Sequence, residues 1–386
     1  MTSKDSWPEV RIGDLGEIFT GRTPPTEQPD YFGGDYPFIT PGDMRQGKYA
    51  RSTQRSVSNK GAELLRRIKI PANSVCVSCI GWQMGEVIMT DKPSFTNQQI
   101  NTIVPDDKVD PSYLYYSIRP RKHEWLSLGA ATGVRTPILN KSAFCDLKVR
   151  IPTFPVQRRI ADILSAYDNL MENSRRRIQV LESMARAVYR RRFVSAANST
   201  FGALCELVKE PFDESEHSDR PLLDLARMPQ STIAPAETGK ASELTTSRIL
   251  FESGDTLFGA IRCYLHKVLA AHYPGVTNTS VLVLRPKKTS FRSLVALIAS
   301  DTDTIRWADT HSTGTKMPVI NWGVFQTMPA PLPSESSAQE FENVARPMLE
   351  QIGILANQIQ NLRRTRDLLL PRLLSGQIEN LVCPTE

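Results

Sequence analysis

Two long stretches of this chain place an apolar residue at alternating steps of four and three. The first runs through Ile160, Leu164, Tyr167, Met171, Ser174, Ile178, Leu181, Ala185, Val188 and Arg192, eight of ten apolar or aromatic. The second runs through Phe341, Ala345, Met348, Ile352, Leu355, Ile359, Leu362, Arg366, Leu369 and Leu373, nine of ten apolar. A lone amphipathic helix cannot bury such a seam and is marginal in water, so each stretch needs a partner. Adding 181 to the first seam gives the second without a gap. A helix of about 38 residues is a rod of roughly 57 Å. The intervening segment is long enough to leave one end of a helix pair and return from the other, so antiparallel pairing is expected.

The same offset governs what precedes the helices. "TGVRTPILN" at Thr132–Asn140 repeats as "TGTKMPVIN" at Thr313–Asn321, with Arg135 replaced by Lys316. "ANSVCVSCI" falls on "SGDTLFGAI", and Thr96, Asn97 and Pro105 fall on Thr277, Asn278 and Pro286. Near the start the offset is 189, where "IGDLGEI" matches "FGALCEL", so the second copy is shorter in its early part. Internal duplication on this scale implies two similar domains. The expected boundaries are a domain over 1–154, a helix over 155–195, a second domain over 196–334, and a second helix with its tail over 335–386.

Each copy reads as mixed α and β. Strands are expected at "SVCVSCI", "INTIV" and "DLKVRIP", with a helix at "PSYLYYSI"; "DTLFGAI", "HKVLAA", "SVLVLRP" and "FRSLVALIASDTDTIRWA" play similar parts in the second copy. The fold class is therefore α+β: two mixed α/β domains in pseudo-twofold repeat, joined by two long helices forming an antiparallel coiled coil. Pro347 inside the second seam lacks an N–H and is expected to kink or restart the helix. Pro371 lies near its other end, and Gly376 is placed as a C-terminal stop. The "RRR" runs at 175–177 and 190–192 fall mostly on outer helix faces, which are solvated by default.

No run of about 18 apolar residues is present to span a bilayer, and "MTSKDSWPEV" lacks the apolar core of a signal peptide. A cytoplasmic protein with no membrane partner is expected. Six cysteines in 386 residues are too sparse for a disulfide framework and read as reduced thiols. Cys76 and Cys79 have metal-like spacing, but a strand turns them to opposite faces and no second ligand pair accompanies them. The sequence holds no phosphate-binding glycine-lysine loop, no dinucleotide fingerprint, no H-E-x-x-H and no methyltransferase Asn/Asp-Pro-Pro-Tyr motif. Five scattered histidines form no constellation. No catalytic and no metal residue is assigned.

What remains are basic, amide and aromatic side chains on loops between strands. The net charge of +6 has its excess in the first half. Arg22, Lys48, Arg51, Arg55, Trp82, Gln83, Asn97, Gln98, Gln99 and Arg135 in the first copy, and Arg262, Lys267, Asn278 and Lys316 in the second, are types that hold phosphates or read base edges. For Trp82 the default is a core position, and for Asn97 a turn or cap. Two polar-faced domains separated by a rod suit a molecule that reads two half-sites on double-stranded DNA.

These residues resemble the specificity subunit of type I restriction-modification systems along essentially the whole chain. "LGEIFTGRTPPT", "YFGGDYPFITPGDM" and "NQQINTIVP" are similar to its first target-recognition domain, which closes in "GVRTPILNKSAFCDLKVRIPTFPVQRRIADIL". "FESGDTLFGAIRCYLHKVLAA", "GTKMPVINWGVFQTMPAPLP" and "LRRTRDLLLPRLLSGQI" are similar to the second domain and second helix. Arg158 beside Gln157 and the loose "SESSAQEFENVARP" depart from that pattern. The resemblance implies a non-catalytic subunit whose domains each read half of a bipartite asymmetric site while the helices set the gap. It further implies two methyltransferase subunits docked on the helices and an ATP-driven restriction subunit as a further partner. S-adenosylmethionine, ATP and Mg would then belong to those partners, and no cofactor to this chain. Two other classes are weighed: an enzyme that cuts or methylates DNA alone, which lacks the cofactor motif, and a coiled-coil interaction scaffold without sequence readout.

Overall fold

The structure is a computed structural model that describes residues 7–377 apart from 46, 131–136, 194–196, 236, 245 and 246. The chain divides into two compact units, residues 1–172 with 363–386 and residues 173–362.

In the first unit an antiparallel sheet is ordered Gly16–Thr20, Ile100–Pro105, Val75–Ser78, Val87–Met89. Its central strand, Val-Cys-Val-Ser, is buried throughout, because both faces of the sheet are covered. One face packs with the Pro111–Ile118 helix and with Ile160 and Leu164; the other packs with Ile39, Met44 and Ile70. Period-two geometry sends Cys76 to the second core and Cys79 to the first. Burial pushes both thiols up to about 12. A smaller, separate sheet is ordered Arg55–Val57, Phe32–Ile39, Phe95–Thr96.

The second unit repeats the plan with Cys205–Val208, Val281–Pro286, Thr256–Gly259 and Val268–Ala270. Register is preserved at the sequence offset: Ser78 stands opposite Ile100 and Gly259 opposite Val281, while Val75 stands opposite Met89 and Thr256 opposite Ala270. The expected strands and the Pro111–Ile118 helix are all present, and "FRSLVALIASDTDTIRWA" forms two helices, Arg292–Ala299 and Thr302–Thr310.

Two long helices, Phe154–Phe193 and Glu335–Leu374, have 40 residues each. Gln157 ties the first to the domain before it. Its amide nitrogen donates to Pro152 O at 2.9 Å, and its oxygen accepts from Asp110 N at 2.9 Å. Within the first unit, Ile160, Ala161 and Leu164 share a core with Leu370 and Leu373. There Arg366 Nη1 meets Asp168 Oδ1 at 2.5 Å, with side chains 6% and 10% exposed. Tyr116 Oη donates to the other oxygen of Asp168 at 2.6 Å. Burial opposes the guanidinium charge, yet Asp168 and Asp367 raise the Arg366 pKa overall.

Within the second unit, Ile178, Ala185, Tyr189 and Phe193 share a core with Phe341, Ala345, Leu349, Ile352 and Leu355. The Phe193 and Phe341 rings meet edge to face at 5.2 Å. The seam departs from a strict heptad here. Leu181 and Val188 are half-buried and Arg192 is exposed, while Glu182, Tyr189 and Phe193 are buried instead. Tyr167, Met348, Ile359, Leu362 and Leu369 are likewise half-buried, with Leu349 and Leu370 inside. A helix of 3.6 residues per turn drifts about 20° per heptad against a 3.5 repeat. Contacts to the globular part reinforce the drift, since Glu182 Oε1 accepts from Ile233 N at 2.9 Å.

Pro347 does not restart the second helix, which is helical without a break from Glu335 to Leu374. Its ring is exposed, as is Asn343, whose carbonyl loses its intrahelical partner; on a wet face water supplies the missing bond. Gly376 ends the helix as expected, at φ 68°, with Gly376 N bonded to Leu373 O at 3.2 Å and Gln377 N to Arg372 O at 3.0 Å. Among the described residues no helix is long and apolar enough to cross a membrane.

Candidate nucleic-acid interface

Antiparallel order gathers specific chain ends at one edge of each four-stranded sheet. In the first unit these are the exits of Gly16–Thr20 and Val75–Ser78 and the entries of Val87–Met89 and Ile100–Pro105. Gly21 N donates to Ile100 O at 3.1 Å and Arg22 N to Thr96 O at 2.9 Å. A Cβ on Gly21 would stand 2.2 Å from Asn97 O and 2.3 Å from Thr96 O, so only glycine lets the strand exit this close. Thr23 Oγ1 then donates to Gln98 Oε1 at 2.8 Å.

The end of the repeated nonapeptide, residues 137–140 in one copy and 318–321 in the other, closes this edge in both units. Gly81 N donates to Pro137 O at 2.9 Å and Leu139 N to Cys79 O at 2.8 Å. At the same offset Arg262 N donates to Pro318 O at 2.8 Å and Ile320 N to Ala260 O at 3.0 Å. Ile80 bridges Ile138 as Ile261 bridges Val319. Asn140 and Asn321 then cap the next short helices, accepting from Ala143 N at 2.9 Å and Val324 N at 3.0 Å. These four residues are thus the strap that fastens the loop after each central strand. Arg135 lies outside the described residues.

That loop has positive φ at both feet: Gly81 (88°) and Gly85 (81°) in one unit, Arg262 (52°) and His266 (52°) in the other. Left-handed geometry is free for glycine but costs an ordinary residue about 1–2 kcal/mol. The second unit bears that strain at Arg262, whose side chain is exposed.

The structure sorts the expected readers. Arg22, Trp82, Gln83, Gln98 and Gln99 come together at the first edge, and Arg262, Asn278 and Lys316 at the second. Arg22, Arg262 and Lys316 are exposed and have no side-chain partner among the described residues. Trp82 overturns its default reading: it is 75% exposed. Asn97 is buried, and Asn97 and Asn278 are turn-formers, their side-chain oxygens accepting from Gln99 N at 3.2 Å and Ser280 N at 3.1 Å.

Four expected readers are engaged elsewhere. Lys48 is buried, its ammonium donating to Ser112 at 2.8 Å and Ser165 at 2.7 Å; burial lowers its pKa to about 8. It is an interior strut between the domain and the first long helix. Arg51 is exposed but lies over the Tyr49 ring and 3.8 Å from Glu172. Arg55 belongs to the smaller sheet, its guanidinium 3.9 Å above the Phe32 ring. Lys267 donates to Leu225 O at 2.6 Å. Sequence reasoning missed Tyr264, 55% exposed beside Arg262; the signal available was its place in the loop that repeats Trp82's.

The family model for the type I restriction modification DNA specificity domain matches residues 4–183. The chain is 37% identical over 175 residues to the type I restriction enzyme HindI specificity subunit of Haemophilus influenzae, covering 44% of this chain and 38% of that one. It is 24% identical over 413 residues to the MjaIX specificity subunit of Methanocaldococcus jannaschii, covering 96% and 93%. Over residues 4–183 the chain therefore resembles the type I restriction-modification specificity family. A solved structure, the type I restriction-modification system S subunit from M. genitalium, shares the fold with a TM-score of 0.62 at 16% identity, covering 97% of each chain. The family match ends inside the first long helix; the duplicated strap and strand register extend the same fold into the second unit.

Proposed function

We propose that this chain is the non-catalytic, sequence-specific DNA-binding subunit of a type I restriction-modification complex. Each strand-end edge reads one half of a bipartite, asymmetric site. The observation that carries this reading is the duplicated edge, built by the same backbone bonds at the same offset and bearing Arg22, Gln83 and Gln98 in one copy and Arg262 and Lys316 in the other. Glutamine amides match adenine edges and arginine matches guanine, while lysine and arginine also hold phosphates. The two long helices, about 60 Å each, pair antiparallel, set the unread gap and dock two methyltransferase subunits. Those partners supply S-adenosylmethionine-dependent adenine methylation, and a restriction subunit supplies ATP- and Mg-dependent cleavage. A scaffold without readout accounts for the helices but not for two matching polar edges.

Selection from randomised duplexes, with and without a co-purified methylating partner, tests this reading. A split motif enriched with the partner is expected; a continuous motif, or none, sinks it. Arg262→Gly offers a second check. It relieves the left-handed strain, so thermal stability should hold or rise slightly, while DNA affinity falls and its salt dependence becomes shallower. Unchanged affinity would mark Arg262 as a bystander.

A further inference from the structure

We propose that Trp82 and Tyr264 are the apolar specificity contacts of the two domains, each packing on a thymine 5-methyl group in the major groove. This rests on the DNA-reading function above. Trp82 is 75% exposed and Tyr264 55%, on loops that are firmly closed. Met84 N bonds to Gly81 O at 3.0 Å and Gly85 N to Ser78 O at 2.8 Å; Leu265 N bonds to Arg262 O at 2.9 Å and His266 N to Cys263 O at 2.8 Å. Neither ring is exposed because its loop is loose.

The two aromatics are not sequence equivalents. The offset of 181 carries Trp82 to Cys263, which is 2% exposed, and Gln83 to Tyr264. The aromatic has therefore shifted one residue along the loop while remaining at its tip in both copies. Core packing does not demand it, since the ring is in water each time. The same edge carries Gln83 and Gln98 in one copy and Arg262 and Lys316 in the other, groups that match the polar edges of the major groove. The apolar feature which that groove adds is the thymine methyl.

The test uses the full chain with its co-purified methylating partner and the duplex selected by the unaltered protein. Trp82→Ala should weaken binding about tenfold, with an unchanged salt slope and thermal midpoint, and Trp82→Phe should recover part of the loss. Replacing one thymine of that half-site by deoxyuridine should cost the unaltered protein the same factor and the Trp82→Ala variant nothing. Tyr264→Ala should behave likewise toward the other half-site only. The assignment fails if Trp82→Ala binds normally, if every deoxyuridine substitution costs both proteins equally, or if the half-site contains only G·C pairs. A protein that selects no motif at all would instead overturn the DNA-reading function itself.

Discussion

Arg366→Met should lower the stability of the first unit by about 3–5 kcal/mol, the usual cost of stranding one member of a buried ion pair. Asp168 is 10% exposed at its side chain and would keep only Tyr116 as a side-chain partner. Methionine fills much of the volume and preserves helix propensity, so the loss isolates the charge. Urea unfolding measures it, and Asp168→Asn in the same background should restore a large part. A single variant within about 1 kcal/mol of the parent would show that water reaches Asp168, contradicting its burial. The pair also occupies seam position 366, where an apolar residue would satisfy the heptad. A buried charge there rewards one helix alignment and penalises slipped ones.

Gly21→Ala should abolish recognition of one half-site while leaving the other intact. The added methyl meets backbone oxygens of Thr96 and Asn97 at 2.3 and 2.2 Å, and backbone yields only by separating the strand exit from the Thr96–Gln99 turn. Overpacking of this kind costs about 1–3 kcal/mol. The separation breaks the bond from Arg22 N to Thr96 O and draws Thr23 away from Gln98. A displacement of that size removes hydrogen bonds worth about tenfold in affinity for each 1.4 kcal/mol. Selection experiments should show degenerate bases on one side of the gap only. Retention of both half-sites would mean that Arg22 and Gln98 do not read DNA.

The duplication was legible because strand register is a backbone property. Once Ser78 pairs with Ile100, Gly259 must pair with Val281 if the spacing is kept, and the offset records that spacing. The long helices were legible for the same reason, apart from two local effects. Helical drift and the contact of Glu182 with Ile233 moved burial from Leu181 and Val188 to Glu182 and Tyr189. Pro347 faces outward and leaves the helix unbroken. Side-chain fate was much less legible. Lys48 looks like any loop cation until the fold sets Ser112 and Ser165 beside it, 64 and 117 residues away. Trp82 looks like a core residue until its loop is seen to close beneath it.

The bonds that fasten each reading edge run from Gly81 N to Pro137 O and from Leu139 N to Cys79 O, and again from Arg262 N to Pro318 O and from Ile320 N to Ala260 O. All are main-chain bonds, and the exposed side chains at Trp82, Tyr264 and Lys316 take no part in them. If those three side chains read DNA as proposed, substituting them changes preference without disturbing the scaffold, because exposed changes away from packing usually shift stability by no more than about 0.5 kcal/mol. On that reading a lineage would acquire a new target by single replacements, with no compensating mutation in the core.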